Sequence, residues 1–212
     1  MITVEAARAY YDENDAAHSF EHVLRVWHLA ERIGQAEGAD MEVLQAAALL
    51  HDVGRGEQSR SGRCHAEVGA ELARVILVGR PPDRIEAVAR AIAEHRFRGS
   101  AIPSTLEARV LYDADKLDAL GAIGVARAYA IAGERRQRLW AEVEPSYAQR
   151  PPAEGKDDLE DAEHTPVHEY LFKLSKLAAR MCTATGKRLA QQRHAYMAEF
   201  FERLAQEVAG EI

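Results

Sequence analysis

The chain has 212 residues, 47% of them hydrophobic, which is enough for one domain of ordinary to large size with a full core. Its formal net charge of -7 excludes the basic excess of a nonspecific nucleic-acid binder, while a local basic patch can still hold a small anion. The two cysteines, Cys64 and Cys182, lie far apart, and the chain shows neither a secretory leader nor a bilayer-length apolar run, so a reducing, cytoplasmic, membrane-free setting is expected.

Helical periodicity runs through the sequence. VEAARAYYDEN is a short first helix. SFEHVLRVWHLAERIGQAEG follows, with Ser19 as N-cap and Phe20, Val23, Leu24, Trp27, Ala30 and Ile33 as its apolar stripe. DMEVLQAAALLHDVG takes Asp40 as cap and Gly54 as stop. CHAEVGAELARVILVG ends at Gly79, and the Pro81-Pro82 pair opens PDRIEAVARAIAEHR. STLEARVLYDADKLDALGAIGVARAYAIAG is one long helix or two abutting ones, weakened at Gly121 and Gly124. Residues 133–165 change character. Pro145, Pro151, Pro152 and Gly155 interrupt a charged, aperiodic stretch that reads as a long loop or insertion. PVHEYLFKLSKLAARM and GKRLAQQRHAYMAEFFERLAQEVAG close the chain as amphipathic helices. The expected fold is all-α, a single helical domain over 1–212 with a core region at 15–132, the insertion at 133–165 and C-terminal helices at 166–209.

One stretch conflicts with its surroundings. LQAAALLHDVGRG, residues 44–56, is apolar enough to be buried on most sides, yet it ends on His51 and Asp52. A buried ionisable group is costly unless it is paired, hydrogen-bonded or bound to metal. The same tension recurs at His18, His22, His65, His95 and Asp115, each on a predicted helix or near its end. Recurrence across several helices implies that these groups converge. A divalent ion accepts imidazole and carboxylate ligands, and two of each leave the site neutral in total.

The order His22, His51-Asp52, Asp115 resembles the H…HD…D signature of the HD superfamily of metal-dependent phosphohydrolases. HSFEHVLRVWHLAERI, AALLHDVGRG, EHR, LYDADKLDALGAIGVARAYAIAG and the tail TGKRLAQQRHAYMAEFFERL resemble its small bacterial predicted members. The likeness covers most of residues 15–132 and resumes near 166. It implies an HD-type helical bundle in which His22, His51, Asp52 and Asp115 hold a divalent ion (Mn, Fe, Co, Ni, Zn or Mg). It further implies attack of metal-bound hydroxide on a phosphomonoester or nucleotide-like phosphate. In binuclear relatives two further histidines lie between the HD pair and the last aspartate. His65 and His95 occupy that interval and are candidates for a second ion or a phosphate contact, the alternative being simple helix-end roles.

Around this set, Asp118 sits one turn beyond Asp115 and is a candidate to orient a ligand or to donate a proton. Lys116, inside the motif, is a candidate phosphate contact and stabiliser of developing charge. His95 is also a candidate proton-transfer group. Arg55, Arg60 and Arg63 in GRGEQSRSGRC read first as a solvated basic loop and second as phosphate contacts. His28, His164, His168 and His194 read as surface or structural. ATGKRL lacks the first glycine and the Ser/Thr of a Walker A loop, which leaves Lys187 and Arg188 as minor candidates for substrate binding. Cys64 beside His65 lacks an orienting third group and reads as a packed thiol.

Three functions follow from these residues. The first is a metal-dependent phosphohydrolase acting on a small phosphorylated substrate, a phosphomonoester or a nucleotide-like phosphate. The second, also implied by the resemblance, is a mixed-valent di-iron oxygenase, which requires both His65 and His95 as ligands. The third is a non-catalytic ligand-sensing module whose metal is structural.

Overall fold

A computed structural model of the protein describes residues 2–11, 19–96, 102–144, 146–147 and 164–212. His18, the prolines at 145, 151 and 152, and Gly155 lie outside the described residues, so most of the anticipated insertion does too. Among the described residues every regular element is helical, and no helix is long and apolar enough to cross a membrane. The chain divides into two units, Met1–Leu117 with Cys182–Gly186, and Asp118–Met181 with Lys187–Ile212.

The first unit contains α1 (Val4–Arg8), α2 (Phe20–Glu37), α3 (Met41–Leu50), α4 (Arg55–Ser61), α5 (His65–Ile76), α6 (Pro82–Glu94) and α7 (Leu106–Asp118) up to Leu117. α2 starts after Ser19, which has the extended backbone of an N-cap but makes no side-chain cap bond, and it stops at Gly38, whose φ of 77° needs glycine. Val23, Val26, Ala30 and Ile33, spaced by three and four, form its fully buried stripe. α3 is buried on nearly every side, through Val43, Leu44 and the run Ala46–Leu50. Asp40 caps it by accepting from the backbone N–H groups of Glu42 and Val43, and Arg84 pairs with the same carboxylate. Pro82 opens α6 at its first position, as its missing N–H favours.

Two expectations for this unit are corrected. α3 ends at Leu50, so His51 and Asp52 stand in the turn that follows it, and Gly54 is not a left-handed stop: its φ is -80°. Glycine is required there for space. A Cβ at Gly54 would stand 2.3 Å from the His65 carbonyl oxygen and 2.7 Å from the Gly69 nitrogen, so the backbone of the turn lies directly on α5. The stretch read as a basic loop is α4, a helix bounded by Gly54 and by Gly62 at φ 75°. Its glycines are helix boundaries, not signs of irregular chain.

Asp113 of α7 holds the return of the chain into this unit. Its carboxylate accepts from Cys182 N (2.7 Å), Thr183 N (2.8 Å) and Thr183 Oγ1 (2.6 Å), and Thr183 Oγ1 accepts in turn from Gly186 N. A Cβ on Gly186 would meet Asp113 Oδ2 at 2.2 Å. The Thr-Gly of TGKRL is therefore a helix start for α11 (Ala184–Ala209), packed on a buried carboxylate.

In the second unit, α8 (Gly121–Glu134) is separate from α7, because Gly121 adopts φ 73°. The helix expected over 166–181 is broken into α9 (Pro166–Glu169), a π turn at Tyr170–Leu174, α10 (Ser175–Leu177) and a 3-10 turn at Ala178–Arg180. Tyr170 stacks on Phe201 of α11 at 4.3 Å between ring centroids.

Candidate metal centre

Four histidines of the first unit meet at one carboxylate, that of Asp52. His22 comes from the first turn of α2, His51 and Asp52 from the turn after α3, His65 from the first residue of α5, and His95 from the end of α6. All five are at most 2% exposed. His22, His51 and Asp52 offer ligand atoms that all lie within 4.8 Å of one another, and so do Asp52, His65 and His95. Asp52 belongs to both groups and divides its oxygens between them. Oδ2 lies 3.6 Å from His22 Nε2 and 3.5 Å from His51 Nε2. Oδ1 lies 3.4 Å from His65 Nε2 and 3.8 Å from His95 Nε2. Asp115 joins at one side, with Oδ1 at 3.4 Å from His22 Nε2.

The hydrogen bonds of the imidazoles fix their tautomers. Ring Nδ1 of His51 lies 2.8 Å from the Ala48 carbonyl, that of His95 lies 2.6 Å from the Ile92 carbonyl, and that of His65 is bonded to Gln58 Oε1. A carbonyl oxygen can only accept, so Nδ1 of His51 and His95 carries the proton and Nε2 presents a lone pair inward; at His65 the closer Gln58 oxygen favours the same tautomer over the Arg96 guanidinium, 3.3 Å from the same nitrogen. The inner surface is therefore rich in acceptors. His51 Nε2 stands 3.3 Å from His22 Nε2. Asp52 Oδ1 is buried with no hydrogen-bond partner. An uncompensated buried carboxylate oxygen costs several kcal/mol, and cations placed between these lone pairs remove that cost. The residues present fit one or two divalent ions.

Electrostatics point the same way. Burial lowers the His51 pKa and brings His65 down to about 2 and His95 to about 4, so the His65 and His95 rings are neutral, as metal ligation requires. Burial alone would raise Asp52, but His51, Arg55 and His22 outweigh it and hold the carboxyl well below its ordinary range. Asp115 is likewise held down against burial, chiefly by Lys116 and then His22.

The other residues named from sequence are placed as follows. Lys116 donates to Asp115 Oδ2 at 2.8 Å, with its ammonium 5.5 Å from the Tyr112 ring centroid. Asp118 is buried and accepts from Arg127 at 2.9 Å. Arg55 donates to Asp52 Oδ2 at 2.6 Å, while Arg60 pairs with Glu57 and Arg63 with Glu71. These arginines line a cleft of about 920 Å³ that reaches Asp52. Its remaining wall includes Tyr10, Tyr11, Leu72 and Val75.

Sequence reasoning missed Gln58 and Tyr11. Gln58 sits seven residues before His65, bonds its ring and accepts from Arg96. Tyr11 donates its hydroxyl to the Leu49 carbonyl at 2.9 Å, beside the HD turn. A polar residue mid-helix and a tyrosine in a first helix carry no local signal of such contacts.

Residues 19–120 match the HD domain family, and that span begins just before His22 and ends just after Asp115. That match spans 102 of the chain's 212 residues. The chain is 28% identical over 202 residues to the uncharacterized protein YpgQ of Bacillus subtilis, covering 93% of this chain and 88% of that one. The structure of B. subtilis YpgQ in complex with ADP is similar at 25% identity and a TM-score of 0.72, over 98% of this chain and 99% of that one. An HD-superfamily hydrolase of Bacillus thuringiensis is similar at 25% identity and a TM-score of 0.70, over 97% and 94%. A Ribonuclease Y of Chloroflexus aurantiacus is 34% identical over 110 residues, 52% of this chain but only 19% of that protein. The chain thus has the fold of the HD-superfamily hydrolases it resembles, with a buried His/Asp cluster able to hold metal.

Proposed function

We propose that the protein is a metal-dependent phosphohydrolase acting on a small phosphorylated compound, a nucleotide or nucleotide-like phosphate. The observation that carries this reading is the shared Asp52, whose two oxygens face two groups of inward imidazole lone pairs. His22, His51, Asp52 and Asp115 would hold the first ion, and Asp52, His65 and His95 the second. Such ions supply Lewis acidity to a phosphoryl oxygen and an activated water. The chain's own residues do the rest. Ala48, Gln58 and Ile92 orient the ligand rings through their acceptor oxygens. Arg55 steers the Asp52 carboxylate and, with Lys116, supplies fixed positive charge beside the centre. Burial keeps competing water away from the ligand side chains.

The cations around the centre favour phosphate chemistry over an oxygenase, which has no need of Arg55, Arg60 and Arg63 along its cleft. The ADP bound by the YpgQ relative supports a nucleotide as ligand class. The net charge of -7 speaks against an RNA polymer, despite the likeness to part of Ribonuclease Y. The test is elemental analysis of protein purified without chelators, with hydrolysis of nucleotides assayed alongside, compared with Asp52→Ala. We expect about two equivalents of a divalent metal and metal-dependent phosphate release, both lost in the variant. Full metal content and turnover in Asp52→Ala would overturn the reading.

A further inference from the structure

The cleft that reaches Asp52 is lined by two chemically different sets of side chains, together with Glu57 and Glu71. One is basic: Arg55, Arg60 and Arg63, contributed by α4 and the residue that follows Gly62. The other is apolar: Tyr10 from the end of the first helical segment, with Leu72 and Val75 one turn apart on α5. Val75 is 69% exposed and Tyr10 50% exposed. Large apolar side chains this open, gathered along a cleft and rimmed by charge, mark a ligand surface. Nothing in the hydrolysis of a phosphate uses them.

The ion pairs of the basic wall are weakly committed. Arg60–Glu57 and Arg63–Glu71 join exposed or half-exposed side chains, and such pairs contribute little in water. A phosphate chain entering the cleft competes for these guanidinium groups, which favour phosphate geometry. The volume of about 920 Å³ lies at the upper end of small-molecule sites and admits a whole nucleotide.

We propose that the apolar wall is a nucleobase subsite: a planar heteroaromatic ring lies against Tyr10, Leu72 and Val75 while the attached phosphates run past Arg63 and Arg55 toward Asp52. This rests on the phosphohydrolase reading and adds the element that selects substrate, since phosphate contacts alone do not distinguish one phosphorylated compound from another. Stacking and apolar contact recognise the ring, and the arginines give the phosphates their direction. The aliphatic exposed edge of Val75 makes its contact sensitive to charge.

The experiment is calorimetric binding of ADP and, separately, of inorganic pyrophosphate to the metal-containing protein and to its Val75→Asp and Tyr10→Ala variants. Val75 is exposed, so Val75→Asp keeps the fold, which circular dichroism checks. We expect each variant to weaken ADP by about tenfold and to leave pyrophosphate within about twofold. Val75→Leu retains ADP affinity. Unchanged ADP affinity in both variants, or equal losses for ADP and pyrophosphate, overturns the subsite. Wild-type protein that binds pyrophosphate but not ADP overturns the subsite alone, whereas protein that binds neither overturns it together with the phosphohydrolase reading.

Discussion

Among the described residues, buried histidines surround Asp52 in the first unit, and one, His164, lies beside Glu169 in the second. Around Glu169 the carboxylate has protein cations and donors to face. Lys173 donates to Oε1 at 2.8 Å, His164 Nε2 lies 3.5 Å from Oε2, and the Tyr147 hydroxyl bonds His164 Nδ1 at 3.0 Å. Around Asp52 three imidazoles spend their protons outward on carbonyl oxygens, so lone pairs face Oδ1. Similar side chains thus face a lysine ammonium and a tyrosine hydroxyl in one place and line a chamber rich in acceptors in the other, although His164 Nε2 lacks a hydrogen bond as Asp52 Oδ1 does. What separates a structural histidine from a metal ligand is the direction of its proton, which is set by residues outside the cluster.

This comparison can be broken by substitution. The largest effect is expected for Asp52→Ala against Glu169→Ala. The first should strip metal from both groups and reduce turnover by roughly 1000-fold or more, and the second should leave metal content intact. Metal loss from Glu169→Ala in elemental analysis would erase the distinction. Next, His95→Ala should remove about one of two metal equivalents and spare the group at His22, whereas Gln58→Ala should weaken the same ion by roughly tenfold, measured by competition with a chromogenic chelator. Loss of both equivalents in His95→Ala would mean that the two groups are not separable.

A smaller effect falls on stability. Asp113→Ala leaves the Cys182 and Thr183 backbone N–H groups without their acceptor and should cost about 2–4 kcal/mol in denaturant unfolding, with metal affinity per folded molecule unchanged. The smallest is a pH effect at Glu169. Burial would raise its carboxyl, but His164 and Lys173 hold it at about 2. A depressed folded-state value stabilises the fold above the ordinary carboxyl range near 4.5, and that gain disappears as pH falls from there toward 2. Glu169→Gln should therefore be less stable than wild type at pH 7, and the gap should close on acidification. Thermal unfolding across pH 3–7 reads it, and a gap that widens at low pH contradicts the sign.

The centre was legible to the extent that its residues conflict with their own surroundings. His51 and Asp52 end an apolar run, His22 interrupts an apolar stripe, and His65, His95 and Asp115 sit near helix ends, so convergence followed from burial alone. The partners that set their protons were not legible. Gln58 acts over seven residues, Tyr11 over 38 and Asp113 over 69 and 70, and those contacts exist only once helices pack. Glycines misled for a related reason. Gly54 reads as a stop, but its work is to let two backbones touch, which no local pattern encodes. Asp113 shows how fine the distinction is. It is two residues from Asp115 on one helix, yet it holds the start of α11 while its neighbour faces His22.

The hydroxyl of Tyr11 ends on the carbonyl of Leu49, two positions short of His51. The opening residues of the chain therefore act as a brace on the His51–Asp52 turn, though none of them is a candidate ligand. Trimming them, or fusing a bulky tag that pulls them away, should loosen the turn before anything else unfolds. Amide hydrogen exchange at 51–54 would register that loosening even when the helical content of the protein is unchanged.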